Sequence, residues 1–224
     1  MDELLPRLLA WFDAPSASIS LAQLQDSGTD ALGMLRGLKL IAPTSQATRL
    51  TCPECDVGHV ETVAELVEDG VRVWFITCPE VGVVRLDATA LQRWAISHDR
   101  FAALVASELG GTSTSLLDGR VWRVGTYEAN GKRRDVLLAR GLRWPDQAAC
   151  VARVRRSVGA VVLAPCEPPP VEGWGDKPPR VVELERALSQ SAGGISLDPV
   201  LLKNLIDEAD EAARLTSVKV DETL

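Results

Sequence analysis

The chain has 224 residues, of which 46% are hydrophobic and 25% are charged, so it can bury a core and can divide into several small domains. It contains no uninterrupted apolar run of the length, about 18 residues, that a membrane-spanning helix needs. The first residues carry acids where a signal peptide carries positive charge, and five cysteines do not make an even disulfide framework. We therefore expect a cytoplasmic protein that makes no contact with a membrane.

The net charge of −7 is unevenly distributed along the chain. Residues 119–156 carry ten basic and three acidic side chains, whereas the segments before and after them are acidic. The overall charge excludes a protein that is basic all over. The local excess predicts that an anionic partner, such as a nucleic acid, contacts residues 119–156.

Residues 1–50 have the pattern of three short helices. The first is an amphipathic helix over residues 3–13, the second has Ser18 or Ser20 as its N-cap, and the third has Thr29. Pro43 then favours an extended exit, because it lacks a backbone donor.

The pattern Ser20-Leu21-Ala22-Gln23-Leu24, followed later by Leu35-Arg36-Gly37-Leu38-Lys39-Leu40-Ile41, resembles the second helix and the exit of winged-helix domains. This resemblance implies a winged-helix-like fold for residues 1–50. The third helix carries only Arg36 and Lys39 and no Asn or Gln, so it is poorly equipped to read DNA bases and better suited to protein contact.

Residues 51–86 are predicted to form a β-hairpin with a third short strand. Apolar runs over residues 59–67 and 71–77 flank the turn Glu68-Asp69-Gly70, and Asp-Gly between such runs is typical of a hairpin. A further run covers residues 83–86.

The sequence Thr51-Cys52-Pro53-Glu54-Cys55 is echoed by Thr77-Cys78-Pro79-Glu80-Val81-Gly82, and the two together resemble a zinc ribbon. The resemblance implies two knuckles that hold one structural Zn²⁺ through four thiolates. Val81 stands where the fourth cysteine belongs. The candidate ligands are therefore Cys52, Cys55 and Cys78, with His59 as the favoured fourth and His98 the only other histidine.

Two alternatives remain open for these cysteines. The second knuckle can be a relic whose cysteines are simply packed, or Cys52-Pro53-Glu54-Cys55 can be a redox pair, although it precedes a hairpin rather than a helix. The remaining cysteines, Cys150 and Cys166, lie in apolar surroundings and are interpreted as small buried hydrophobes.

The rest of the chain mixes helices and strands. Residues 88–109 are predicted as two helical pieces, and residues 120–164 as a hairpin with an Asn130-Gly131 turn, a helix and a buried strand. A proline-rich linker precedes helices over residues 181–188 and 199–215, the latter capped by Asp198.

We thus predict a multi-domain α+β protein. Its parts are a winged-helix-like domain at 1–50, a zinc-ribbon domain at 51–96, a basic α+β domain at 97–166, a linker at 167–180 and a helical segment at 181–224.

No catalytic constellation is found, so we expect that the protein is not an enzyme and has no small-molecule substrate. A phosphate-binding loop and a dinucleotide fingerprint are both absent from the sequence. A nuclease-like core would need a Glu-x-Lys after its aspartate, and Asp118, Glu128 and Asp135 have none following them.

The expected nucleic-acid contacts are basic residues interleaved with Trp122, Tyr127 and Trp144. They are Arg120, Arg123, Lys132, Arg133, Arg134, Arg140 and Arg143. The competing interpretation is that the tryptophans are core and that the arginines pair with nearby acids.

Two functions follow from these patterns. The first is a non-enzymatic protein associated with nucleic acid, as a transcription regulator or an accessory subunit of a bacterial DNA- or RNA-handling complex. The second is an adaptor that binds partner subunits. Ribbon-bearing chains of this kind also resemble accessory proteins of bacterial defence or mobile-element systems.

Overall fold

A computed structural model describes residues 4–16, 18–28, 30–129, 132–174, 178–191 and 194–221. These residues contain both helices and sheets, in agreement with the predicted α+β class. No helix within these ranges combines the length and the apolar character needed to cross a membrane.

The N-terminal part contains the three predicted helices and the predicted extended exit, together with a short strand before the second helix that was not predicted. They are α1 (Leu4–Asp13), β1 (Ser18–Ser20), α2 (Leu21–Gln25), α3 (Ala31–Gly37) and β2 (Ile41–Pro43). Ser20 caps α2 in a capping box with Gln23, with the Gln23 N–H donating to Ser20 Oγ over 3.1 Å. The proposed cap Thr29 lies outside the described residues.

Residues 49–86 form an all-β arm that begins after β2. Its strands are β3 (Arg49–Thr51), β4 (Val60–Thr62), β5 (Ala64–Glu68), β6 (Val71–Cys78) and β7 (Gly82–Leu86). β3 pairs with β4, and β5, β6 and β7 form an antiparallel sheet in that order. The predicted turn is present, because Asp69 and Gly70 both have positive φ and Glu68 lies opposite Val71.

The chain returns from the arm into the N-terminal sheet. A 3-10 turn at Ala88–Leu91 leads to β8 (Arg93–Ile96), which lies between β1 and β2 in an antiparallel sheet. The helix predicted before residue 97 was therefore wrong. Trp94 and Ile96 are buried on one face of a strand, and that strand pairs with a neighbour on each side. The second predicted piece is confirmed as α4 (His98–Glu108).

A five-stranded mixed sheet forms the second half of the molecule. Its elements are β9 (Thr114–Leu117), β10 (Val121–Ala129), β11 (Lys132–Ala139), α5 (Ala148–Arg155), β12 (Val161–Ala164) and β13 (Arg180–Glu183). The strand order is β13-β12-β11-β10-β9, with β12 parallel to both of its neighbours. The predicted hairpin, helix and buried strand are all present, while the Asn130-Gly131 turn lies outside the described residues.

The C-terminal part differs from its prediction in one segment. Residues 181–188 are not a helix; they complete β13, then form a 3-10 turn at Leu184–Ala187 and the start of β14 (Leu188–Ser191). Val181 and Val182 extend the buried sheet, where pairing with β12 outweighs their helical spacing. After β15 (Gly194–Leu197), the helix α6 (Pro199–Asp221) begins as predicted, with Asp198 Oδ1 accepting from the N–H groups of Val200 and Leu201.

The proline-rich segment is also more than a linker. Its Trp174 is only 2% exposed and belongs to the hydrophobic cluster beneath α5. An aromatic side chain anchored in a core fixes the path of the chain, which a polyproline spacer would not do.

The five-stranded sheet has a hydrophobic core on each face because its central strands alternate between the two. Leu137, Ala139 and Val162 point toward α5, while Val136 and Leu138 point toward the N-terminal helices and α6. A third, smaller core lies in the arm around the cysteines.

Candidate metal centre and basic surface

The first cysteine knuckle is the loop between β3 and β4. The backbone N–H of Cys52 donates to the carbonyl oxygen of His59 over 2.8 Å, which closes the loop at its base. Gly58, with φ of 70°, provides the left-handed turn just before His59. The loop therefore brings Cys52, Cys55 and His59 to the same end of a short hairpin.

The second knuckle is the tight turn between β6 and β7. Cys78 ends β6 and lies opposite Gly82, whose φ of 80° continues the turn into β7. Cys78 is on the same face of the sheet as Ile76, and both belong to the small core of the arm. Val81 is 44% exposed, so the position of the missing fourth cysteine is occupied by a solvent-facing side chain.

The two knuckles bring three thiols together. The Sγ atoms of Cys52, Cys55 and Cys78 all lie within 4.8 Å of one another, and this group can hold a metal ion. Cys52 and Cys78 are buried and Cys55 is half-buried. His59 Nδ1 lies 3.6 Å from Cys55 Sγ and 3.7 Å from Cys78 Sγ, so the predicted fourth ligand is beside the cluster.

Backbone amides are directed at the sulfurs. The N–H of His59 donates to Cys55 and, with the imidazole, lowers the pKa of the Cys55 thiol to about 6. Burial raises the pKa of Cys52, although the N–H groups of Glu54 and Cys55 act against this. Hydrogen bonds to Cys78 and Cys55 raise the pKa of His59. Such amide donors stabilise thiolates, the form in which cysteine binds metals.

The other cysteines lie away from this cluster. Cys150 is a fully buried residue of α5, its thiol donates to the carbonyl oxygen of Arg140 over 3.5 Å, and burial raises its pKa to about 11. Cys166 is half-buried, and burial raises its pKa to about 11 as well. Neither thiol belongs to a group of three or more metal-ligating side chains within the described residues.

Four of the seven predicted nucleic-acid contacts are used within the fold. Arg120 forms an ion pair with Asp146 at 3.1 Å, and Arg134 forms one with Asp210 at 2.7 Å. Arg143 pairs with Glu167. These three arginines therefore agree with the competing interpretation, in which the arginines pair with acids of the same chain.

Arg140 is the fourth, and it is not a surface residue at all. It is 4% exposed, and its guanidinium donates to the carbonyl oxygens of Gly119 and Ala14. A phosphate cannot reach a side chain that is enclosed in this way, so we remove Arg140 from the candidate contacts.

Two of the three remaining predicted contacts, Arg123 and Arg133, lie on the α5 side of the sheet. Arg123 is exposed and lies opposite Leu137, which points toward α5, and Arg133 is exposed and shares that face by strand alternation. The side chain of Lys132 lies outside the described part of the structure.

The last turn of α5 brings further arginines to this face. Arg153 Nε donates to the carbonyl oxygen of Leu116 in β9, while Arg155 and the following Arg156 are exposed. We refer to these arginines as the basic surface, which comprises the exposed Arg123, Arg133, Arg155 and Arg156 and the half-buried Arg153. The sequence prediction left the α5 arginines out of the contacts. The rule that a crossover helix runs back along its strands would have placed them near Arg123.

Within the described residues, the three cysteines are the one group of three or more metal-ligating side chains. Asp118 lies in the turn before β10, whereas Asp135 lies within β11 opposite Thr126. These carboxylates do not converge with Glu128 into a cation site. His98 packs its ring against Phe12, with ring centroids 5.3 Å apart, away from the thiols.

Comparison of the chain with protein-family models, with curated proteins and with solved structures finds no match.

Proposed function

We propose that Cys52, Cys55, Cys78 and His59 hold one structural Zn²⁺. In a tetrahedral site with ordinary bond lengths, two sulfurs are about 3.8 Å apart and a sulfur and a nitrogen about 3.6 Å apart. The distances from His59 Nδ1 to Cys55 and Cys78, 3.6 and 3.7 Å, agree with that sulfur–nitrogen distance. This agreement is the observation that carries the assignment of His59 and of zinc.

The size of the arm supports a structural role for the ion. The buried core of the arm consists of six residues, two of which are the cysteines themselves. So small a core contributes too little apolar burial to hold a sheet, and small modules of this kind are stabilised by a metal. Four protein ligands also leave no open coordination position for a substrate.

Metal analysis of the purified protein tests this assignment. We expect one zinc per chain in the wild type and in Cys166→Ser, a control at a cysteine outside the cluster, and loss of zinc in Cys78→Ser. With Co²⁺ in place of zinc, His59→Cys should keep the metal and strengthen the sulfur-to-cobalt absorption, because a fourth thiolate replaces the imidazole. Wild-type protein that binds neither metal would refute the assignment.

We further propose that the protein is a non-enzymatic nucleic-acid-associated protein. The observation that favours this function is that three arginines end α5 and two more, Arg123 and Arg133, lie on the sheet face that α5 covers, with Arg153 bonded to β9. Closely spaced arginines attract a phosphate backbone and bind it by releasing its counterions. Two acids, Glu128 and Asp135, lie on the same face and leave it with a positive excess.

The N-terminal part supports the same proposal. Its order of helix, strand, two helices, strand and returning strand, with β8 between β1 and β2, is the order we associate with a winged-helix-like unit. The zinc arm then takes the position of the wing between β2 and β8. Such units occur in nucleic-acid regulators. The helix α3 has Arg36 in its last turn and contributes little charge, so the phosphate contacts would come from the basic surface.

Anisotropy titrations with labelled DNA duplex and single-stranded RNA test the function. At about 50 mM salt we expect the wild type to bind. Changing Arg123, Arg133 and Arg156 to Ala should reduce the slope of log affinity against log salt concentration by about three, since each arginine that contacts a phosphate contributes about one. The control is Arg72→Ala with Arg143→Ala, two exposed arginines that pair with acids elsewhere. The proposal fails if neither probe binds, or if the control loses as much affinity as the triple variant.

An adaptor role remains a second candidate, and one observation favours it. The arm exposes an unusual number of large apolar side chains, which are characteristic of protein contact.

A further inference from the structure

The sheet formed by β5, β6 and β7 has two different faces. Ile76, Cys78 and Val84 lie on the inner face and belong to the core around the thiols. The opposite face, which we call the outer face, is formed by side chains from all three strands. Its apolar members are Leu66, Val71, Val73, Phe75 and Val83, and Ala64, Glu68, Thr77 and Arg85 lie on the same face.

The outer face is largely apolar, and three of its apolar side chains are open to solvent. None of its five apolar members belongs to a hydrophobic cluster of the described chain; Leu66, Val71 and Val83 are 49%, 62% and 72% exposed, while Phe75 is half-buried and Val73, in the central strand, is 8% exposed. Along the strands of an antiparallel sheet with one solvated face, apolar and polar side chains ordinarily alternate. Here the side chains of the inner face and those of the outer face are both largely apolar. The cost of hydrating such a face is removed when another apolar surface covers it.

The exposed apolar residues of the described chain are concentrated in the arm. Ten large hydrophobic side chains are exposed in the described ranges, and seven of them lie between residues 57 and 83. Three of these seven, Leu66, Val71 and Val83, lie together on the outer face. Scattered exposure would need no explanation, but adjacent exposed apolar side chains on one face of a sheet mark an interaction surface.

The charge of the arm limits what can cover the outer face. Residues 52–86 carry seven acidic side chains and two arginines, and Glu68, Asp69 and Glu80 lie in or next to the turns at the ends of the sheet. A nucleic acid would be repelled by this acidic rim, and so would the same rim on a second copy of the chain. A partner with basic residues around an apolar centre is the complementary case.

The dimensions of the outer face fit a helix. Along β6 the outer residues run from Val71 to Thr77, a distance of about 20 Å, and the flanking strands are about 10 Å apart. An α-helix of about 14 residues has that length and a similar diameter. We propose that the outer face is the docking site for an amphipathic helix of a partner protein, with an apolar stripe and lysines or arginines at its flanks.

Binding of designed peptides to the zinc-loaded chain tests this proposal. The probe is a labelled helical peptide of about 14 residues with leucines at i, i+3, i+4 and i+7 and lysines on its flanks. Its controls are the same leucine stripe with glutamate flanks and a scrambled lysine peptide. We expect the lysine-flanked helix to bind at least about tenfold more tightly than either control.

Matched substitutions then locate the site. Leu66→Ser with Val83→Ser should weaken binding at least about tenfold, because Leu66 lies beside Val73 within the contact and Val83 lies beside Thr77 at its end. Val158→Ser with Val200→Ser, which changes side chains that are 92% and 69% exposed elsewhere, should leave it unchanged. Zinc content measured on every variant verifies that the arm is intact, and DNA binding by these variants should equal that of the wild type.

Three results would overturn the proposal. One is a failure of the lysine-flanked peptide to bind, or equal binding of all three peptides. Another is equal loss of binding in the two double variants. The third is a dimer in sedimentation velocity that Leu66→Ser with Val83→Ser dissociates, since the occupant would then be a second copy of the chain.

Discussion

Arg140 illustrates how an arginine can serve the fold instead of a ligand. It connects the end of α1 to the sheet through the carbonyl oxygen of Ala14, and the N–H of the neighbouring Gly141 donates to Asp13 Oδ1 over 2.6 Å. Trp144 lies between Arg120 and Arg140, with the guanidinium carbons 4.4 and 4.6 Å from its ring centre. A guanidinium stacked on an aromatic face and donating to carbonyl oxygens holds two parts of the chain together.

His98 lies near the contact that Arg140 makes between α1 and the sheet, and this environment opposes its protonation. It begins α4, packs on Phe12, and its Nε2 is buried with no hydrogen-bond partner among the described residues. Burial, helped by the charge of Arg140 and only partly offset by Asp99, lowers the pKa of His98 to about 4. The folded chain therefore keeps this imidazole neutral where the unfolded chain would protonate it.

Stability should consequently fall as the pH drops from about 6.5 toward 4. Between these values the unfolded state binds the proton and the folded state does not, so the loss reaches about 2 kcal/mol at pH 5. His98→Phe keeps an aromatic ring and removes the titration, so its unfolding free energy should depend less on pH. Urea unfolding of both proteins at pH 7 and pH 5 measures the difference. Equal pH dependence in both would show that His98 does not contribute.

At the scale of elements, α6 determines which side of the sheet remains basic. Arg134 and Arg180 both bind Asp210 on α6, at 2.7 and 2.8 Å. Burial acts to raise the pKa of Asp210, but hydrogen bonds from the two arginines outweigh it and hold the pKa below its usual value. The helix predicted over residues 199–215 thus neutralises the arginines on one face through Asp210. The face covered by α5 keeps its charge.

At the scale of the whole molecule, local signals predicted elements better than their assembly. The Asp69-Gly70 turn, the Ser20 capping box and the Asp198 cap are dictated by residues close in sequence, and each is present. The same locality made the knuckles around Cys52 and Cys78 predictable as a pair.

Long-range pairing could not be predicted in this way. The segment at 93–96 becomes a strand because β1 and β2, which lie some fifty to eighty positions earlier, provide edges on both of its sides. Likewise, whether Arg134 or Arg123 faces an acid depends on where α6 docks, and strand spacing carries no information about that. The exposure of the outer face could not be predicted either, because the sequence does not show whether another element of the chain packs on it.

The arm leaves the N-terminal sheet and returns to it at one place. Pro43 lies opposite Trp94, and beyond them Thr44 and Ala47 donate to the carbonyl oxygens of Arg93 and Leu91 over 2.9 and 2.8 Å. An insertion whose two ends meet can be excised without separating the strands that it joins, because closing the gap costs little loop entropy. It can also unfold on its own, as a separate cooperative unit.

Replacing residues 48–87 with a flexible bridge of about four residues should therefore leave the remainder folded. Hydrogen exchange of that shortened chain should match the exchange of the same amides in the full protein, and chelation of zinc from the full protein should expose amides of the arm alone. A global loss of protection in either experiment would contradict this independence. The metal would then govern whether the arm is available to a partner, while the rest of the molecule stays assembled.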